Sequence, residues 1–144
     1  MIEQDTIRLL RECDSGIKMG VQSISDVARH VKNREMKKKL AVCKGEHKML
    51  ENEIDALLRS YGDRGKEPNA LVTGMSRMKT NMRIAMNKTD STIAGLMTDG
   101  CNMGVKSLSG YLNKYKAADE ESKDIAKRLI SLEDQLATDM RAYL

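Results

Sequence analysis

Apolar residues recur along this chain at alternating steps of three and four. The longest unbroken run lies between Asn33 and Tyr61, where Met36, Leu40, Cys43, His47, Leu50, Ile54, Leu57 and Tyr61 mark one face. Such spacing predicts a long helix packed against other long helices. A first helix is predicted over about 4–31, with Leu10, Cys13, Ile17, Gly20, Ile24, Val27 and Val31 along its seam. Gly16 and Gly20 each cost about 1 kcal/mol of helix propensity relative to Ala, and Gly20 on the seam is expected to admit a neighbouring backbone. Asn33 reads as the N-cap of the second helix, at 33–61, with Glu35 offsetting the dipole in its first turn. So short a join forces the first two helices into an antiparallel hairpin.

The segment Tyr61-Gly62-Asp63-Arg64-Gly65-Lys66-Glu67-Pro68 is the clearest break. Gly62 suits a left-handed helix terminus and Pro68 opens a new element. The spacing predicts a shorter helix over 69–86, with Leu71, Met75, Met78, Met82 and Ala85 on one face. A helix over 90–116 follows, with Asp90 as its expected N-cap and Ile93, Met97, Cys101, Gly104, Leu108, Tyr111 and Tyr115 turned inward. The last helix, at 120–143, carries Ile125, Leu129, Leu132, Leu136, Met140 and Tyr143 on its core face. The whole chain, 1–144, reads as one all-α domain: a four-helix bundle with an additional crossover helix between the second and third long helices. The crossover returns the chain to its starting end, so the helices beginning at 33 and 90 are expected to run parallel. Tyr61, Tyr111, Tyr115 and Tyr143 are expected together at one end of the bundle.

Composition narrows the function classes. Phe and Trp are absent and eleven Met do much of the apolar work, which suits slender, closely spaced helices. No apolar run approaches the roughly 18 residues of a membrane span, and the first residues do not resemble a signal peptide, so a cytoplasmic protein is expected. Three widely spaced cysteines argue for reduced thiols and against a disulfide framework. The net charge of +4 comes mainly from Lys32, Arg34, Lys37, Lys38, Lys39, Lys44 and Lys48. Glu35, Glu46, Glu51 and Glu53 interleave with these cations and no aromatic accompanies them for base stacking, so a solvated helix face is favoured over nucleic-acid binding.

Several short patterns resemble small bacterial ferritin-like bundle proteins of unknown function, distant relatives of the rubrerythrins. They are Leu9-Leu10-Arg11-Glu12-Cys13-Asp14-Ser15-Gly16-Ile17, the Gly45-Glu46-His47 step, Tyr61-Gly62 with Pro68 beyond it, and Thr98-Asp99-Gly100-Cys101. More remotely, the helix order is similar to that of ferritin-like spore coat proteins. What the resemblance implies is the fold. It does not carry over the di-iron site, which takes a Glu from each of two helices and a Glu-x-x-His pair from each of the other two. Here Lys44 stands three residues before His47, and Glu133-x-x-Leu136 has no histidine.

The remaining candidate chemistry lies in the second and third long helices. Cys43 and Cys101 fall at similar depth if those helices run parallel and start level. His47 lies one turn from Cys43, and Glu46 borders it. Two thiolates, an imidazole and a carboxylate would suit zinc or copper(I), giving Cys43, Glu46, His47 and Cys101 as candidate ligands of a metal-binding or thiol-redox bundle. Set against this, buried Cys packs as a small hydrophobe and a seam His often fixes register. The methionine stripe of Met75, Met78, Met82 and Met86 could hold copper(I), but such a stripe at three-and-four spacing is far more often ordinary packing. Without a Gly-rich phosphate loop or a nucleophile paired with a base, no cofactor is predicted. The expected function is that of a non-enzymatic helical bundle acting through protein contacts, self-associating as a homodimer.

Overall fold

The computed structural model describes residues 2–68, 80, 81, 83, 84, 87 and 89–144. Among them the chain is all-α: α1 (Ile2–Ala28), α2 (Arg34–Ser60), α3 (Asp90–Lys114) and α4 (Glu120–Met140), closed by a 3-10 turn at Arg141–Tyr143. The helix expected over 69–86, and with it the methionine stripe, lies for the most part outside the described residues.

The helices begin where short polar side chains satisfy free backbone donors. Asn33 caps α2 by accepting from the Met36 N–H, Thr89 caps α3 by accepting from Thr92, and Asp119 caps α4 by accepting from Ser122. Asp90, the expected cap of α3, does a different job. Its two carboxylate oxygens accept from the backbone N–H groups of Lys32 and Asn33, each at 2.9 Å. The residue before it takes over the cap, which frees Asp90 to bind the turn between α1 and α2. At the far end of α2, Gly62 has φ +72, and the N–H groups of Gly62 and Asp63 return to the carbonyls of Arg59 and Leu58.

These end contacts fix the directions. The start of α3 is held beside the start of α2 by Asp90. At the opposite end, the N–H of Ala117 donates to Asp5 and that of Asp119 to Thr6, joining the α3–α4 turn to the start of α1. The bundle therefore runs up, down, down, up, with α2 and α3 parallel, and the connection from Tyr61 to Thr89 joins opposite ends. The pairs α1–α2 and α3–α4 pack most extensively, α2 and α4 lie side by side, and α2 and α3 face one another across the diagonal. Tyr61, Tyr111 and Tyr115 lie in or against the apolar cluster of one half, but Tyr143 packs at the other end, where Lys39 stacks over its ring. Because α4 runs upward, its last residue reaches the end where α2 begins, so the expected belt of four tyrosines does not form.

The buried side chains divide into two clusters. One holds Ile24, Val27, Met36, Leu40, Ile93, Met97, Leu136 and Met140. The other holds Leu9, Leu10, Ile17, Leu50, Ile54, Leu58, Leu108, Ile125 and Leu129. Leu58, not Leu57, is the buried residue in the last turn of α2: the seam shifts by one position there, as 3.6 residues per turn drifts against a seven-residue repeat.

A charged latch ties the start of the long connection to α1. Asp14 is completely buried. Its Oδ2 accepts from Lys18 Nζ and from the Lys66 N–H, both at 3.0 Å, and Oδ1 has no hydrogen-bond partner among the described residues. Lys66 Nζ reaches Glu12 at 2.6 Å, Lys18 also holds Glu67 at 2.9 Å, and Arg11 pairs with Asp63 at 3.7 Å. Gly65, at φ +86, passes so close to Asp14 that a Cβ there would overlap the carboxylate.

Two glycine substitutions separate this latch from ordinary helix propensity. Gly65→Ala is expected to destabilise the fold by about 1–3 kcal/mol, through backbone strain and the clash with Asp14. Gly110→Ala, in α3 where a Cβ meets nothing within 4 Å, is expected to stabilise it by about 0.5–1 kcal/mol. Urea denaturation of both variants beside the parent chain measures the difference.

Candidate functional site

Between the two apolar clusters lies a thin polar layer to which every helix contributes. His47 comes from α2 and Glu133 from α4; Gly20 of α1 and Gly104 of α3 stand over them. His47 is fully buried. Its Nε2 lies 2.8 Å from Glu133 Oε1, and its Nδ1 lies 2.8 Å from the Cys43 carbonyl oxygen, with the Cys43 thiol 3.5 Å away. A carbonyl oxygen and an ionised carboxylate both accept only, so the ring donates from both nitrogens and is an imidazolium.

Burial pulls the His47 pKa down. The hydrogen bonds to the Cys43 side chain, to Glu133 and to the Cys43 carbonyl outweigh it and raise the value to about 10. The charge is thus kept at neutral pH by its partners, in a setting where an unpaired cation would be expelled.

The glycines make room for this pair. A Cβ on Gly20 would stand 3.2 Å from His47 Cδ2 and Nε2, and one on Gly104 would stand 3.3 Å from Glu133 Oε2. The expected close approach at Gly20 is therefore to the side chains of His47 and Glu133, which cross from α2 and α4 into space that a larger α1 or α3 residue would occupy.

The candidate ligands do not all converge. Cys43 and Cys101 belong to the same apolar cluster, and Cys101 lies near Glu133 and Cys43. Burial first, then the Glu133 charge and its hydrogen bond to the thiol, push the Cys101 pKa well above the ordinary range. Glu46 is exposed and lines an outer groove between α2 and α4, beside Lys39, Val42 and Asp139. Cys13 packs in the other cluster, its thiol pushed up to about 12 by burial and by the neighbouring charges of Glu12 and Asp14. Among the described residues no three or more His, Cys, Asp and Glu side chains are grouped as a metal site requires. The layer also does not fit a di-metal carboxylate centre, since it offers one carboxylate and one imidazole with both ring nitrogens already bonded.

Glu133 is the residue that seam reading passes over. It lies next to Leu132, beside the expected core positions of α4, and nothing in its own helix marks it. The signal that could find it is joint: a histidine on one seam, and glycines on two others at matching depth, call for a partner from the fourth helix.

A cavity of about 270 Å³ opens between α1 and α3 over this layer. His47 and Glu133 line it, together with Gly16, Gly20, Met97, Gly100, Cys101, Gly104 and Ser107. No helix among the described residues is long and apolar enough to cross a membrane. The chain matches no protein-family model, and no curated protein or solved structure matches it.

Two measurements follow from this geometry. A folded-state pKa raised above the unfolded value of roughly 6.5 contributes stability that is complete below that pH and is lost as pH rises through about 10. Unfolding free energy should therefore fall between about pH 7 and 10, by up to ~1.4 kcal/mol per pH unit, and His47→Gln should flatten that slope. The thiols of Cys13, Cys43 and Cys101 are all buried. Their reaction with a disulfide reagent should be on the order of 100-fold slower in the native protein than in guanidinium, where all three should titrate.

Proposed function

We propose that this chain is a ferritin-like helical bundle without a redox centre, and that it acts through contacts with other protein chains, beginning with copies of itself. The up-down-down-up order with one long connection supports the ferritin-like part of this reading. The observation that carries the functional part is the closure of the middle layer upon itself. In bundles of this architecture, cofactor and metal chemistry is built from side chains projecting inward from facing helices. Here the inward imidazole spends both nitrogens on Glu133 and the Cys43 carbonyl. The Cys101 thiol is held in its neutral form, and a neutral thiol is a poor nucleophile. Recognition is then the work of the outer surface.

Sedimentation equilibrium tests this directly: a concentration-dependent dimer is expected, and a single monomeric species up to high micromolar concentration would overturn self-association.

A second reading keeps Cys43, His47 and Cys101 as ligands; they are not grouped as a metal site among the described residues, so an ion would have to draw them together. A soft ion such as zinc or copper(I) would take the two thiolates and the imidazole, with Glu133 better placed than Glu46 as the fourth donor. It would have to displace His47 from either Glu133 or the Cys43 carbonyl. Elemental analysis of protein purified without a metal-affinity tag distinguishes the readings. One equivalent of metal, lost on Cys43→Ser, would favour the metal bundle; a trace amount, unchanged in the variant, would remove it.

A further inference from the structure

The outward face of α2 breaks the pattern of a solvated helix. Opposite its core residues, at steps of four, three, four, three and four, run Lys38, Val42, Gly45, Met49, Asn52 and Ala56, all exposed. Val42 is 54% exposed and Met49 69%, and a Cβ on Gly45 would meet none of the described residues within 4 Å. The comparison with α4 is informative. Every exposed position of that helix is polar, including Glu121, Asp124, Lys127, Arg128, Asp134 and Gln135. Of the large hydrophobic residues exposed among the described residues, Ile2 and Leu144 are at chain ends, Met103 is on α3, and the other two are Val42 and Met49. The three-four step repeated on this outer side is the spacing of a second helix-packing seam, with none of the described helices upon it.

Charge says what covers it. At exposed positions from Arg34 to Lys44, α2 carries three cations (Arg34, Lys37, Lys38) and one anion (Glu35); from Gly45 to Ser60 the exposed charges balance, Glu46 and Glu53 against Lys48 and Arg59. A second α2 laid parallel would set the lysine-rich half against itself. Laid antiparallel, it sets each basic half against the half that carries Glu46 and Glu53, about a two-fold axis near the middle of the helix. There Gly45 lacks a side chain and lets the backbones approach within the 8–10 Å typical of packed helices. A two-fold interface must be self-complementary; the antiparallel arrangement keeps the basic halves apart and lays the apolar pattern on itself.

We propose that the outer face of α2 is a homodimer interface in which two α2 helices pack antiparallel, with Met49 and Gly45 beside the two-fold axis and Val42 and Ala56 farther from it. This rests on the self-association proposed above and assigns its surface, its partner and its orientation.

The test separates the two. Single cysteines placed at Lys38, Met49 and Ala56 lie at exposed positions and leave the core intact, which circular dichroism verifies; the parent chain, with its three buried thiols, is the background. With a short bismaleimide, Met49→Cys is expected to form covalent dimers. Lys38→Cys and Ala56→Cys are each expected to link poorly alone and to link to one another when the two proteins are mixed. Met49→Glu is expected to weaken dimerisation at least tenfold without loss of helicity. Equal self-linking at all three positions would mean parallel helices and overturn the orientation. A dimer that neither links at Met49 nor responds to Met49→Glu would place the interface elsewhere and leave self-association standing. A monomeric parent chain would end both.

Discussion

The bond between His47 and Glu133 is the constraint on which the rest of this bundle depends. It is a charged pair in a region that is otherwise apolar, and its value lies less in net stability than in the penalty for missing it. Taking a carboxylate and an imidazolium out of water costs several kcal/mol each, and that cost is offset only when the two meet with good geometry. His47 belongs to the α1–α2 hairpin and Glu133 to the α3–α4 hairpin. Sliding one hairpin by a turn along the other would strand both charges among Leu40, Leu50, Leu129 and Leu136. The aliphatic seams, which repeat every three or four residues, would tolerate such a slip far better. The polar layer selects one alignment out of several that hydrophobic packing alone leaves close in energy.

The same pair explains the glycines. Gly20 and Gly104 are unfavourable inside helices by about 1 kcal/mol each relative to Ala, and the chain keeps them where His47 and Glu133 cross toward α1 and α3. The layer thus exchanges local helix propensity for room in the core. The small residues that make this room also line the cavity between α1 and α3, so the cavity and the charged pair have one cause.

Much of this was readable from the order of residues. Seam periodicity gave the long helices. The Asn33 cap and the Gly62 terminus followed from side-chain chemistry, and the parallel course of α2 and α3 followed from the length between Gly62 and Thr89. What escaped were features made by two distant segments together. Glu133 carries no local mark of burial; its environment is assembled from the other three helices. Asp90 looks like a cap because capping is the local use of an aspartate before a helix, and its actual partners are the N–H groups of Lys32 and Asn33. Asp14 looks like one of many helix-surface acids, and is buried where residues 63–67 fold back over it and Lys18 pairs with it. Glu46 fits a ligand set by proximity in sequence to His47, yet one residue along a helix turns a side chain by about 100°, which takes it out of the layer.

The contacts made at the two ends of the bundle have a bearing on how its halves are joined. Asp90 grips the α1–α2 turn at one end, and Asp5 and Thr6 hold the α3–α4 turn at the other. Both sets link one hairpin to the other without using the polypeptide between Tyr61 and Thr89. Alignment is therefore enforced three times over by non-covalent means, top, middle and bottom. The long link is therefore not the sole ruler of the two hairpins, although residues 63–67 latch it to α1 and Ile84 sits in the core.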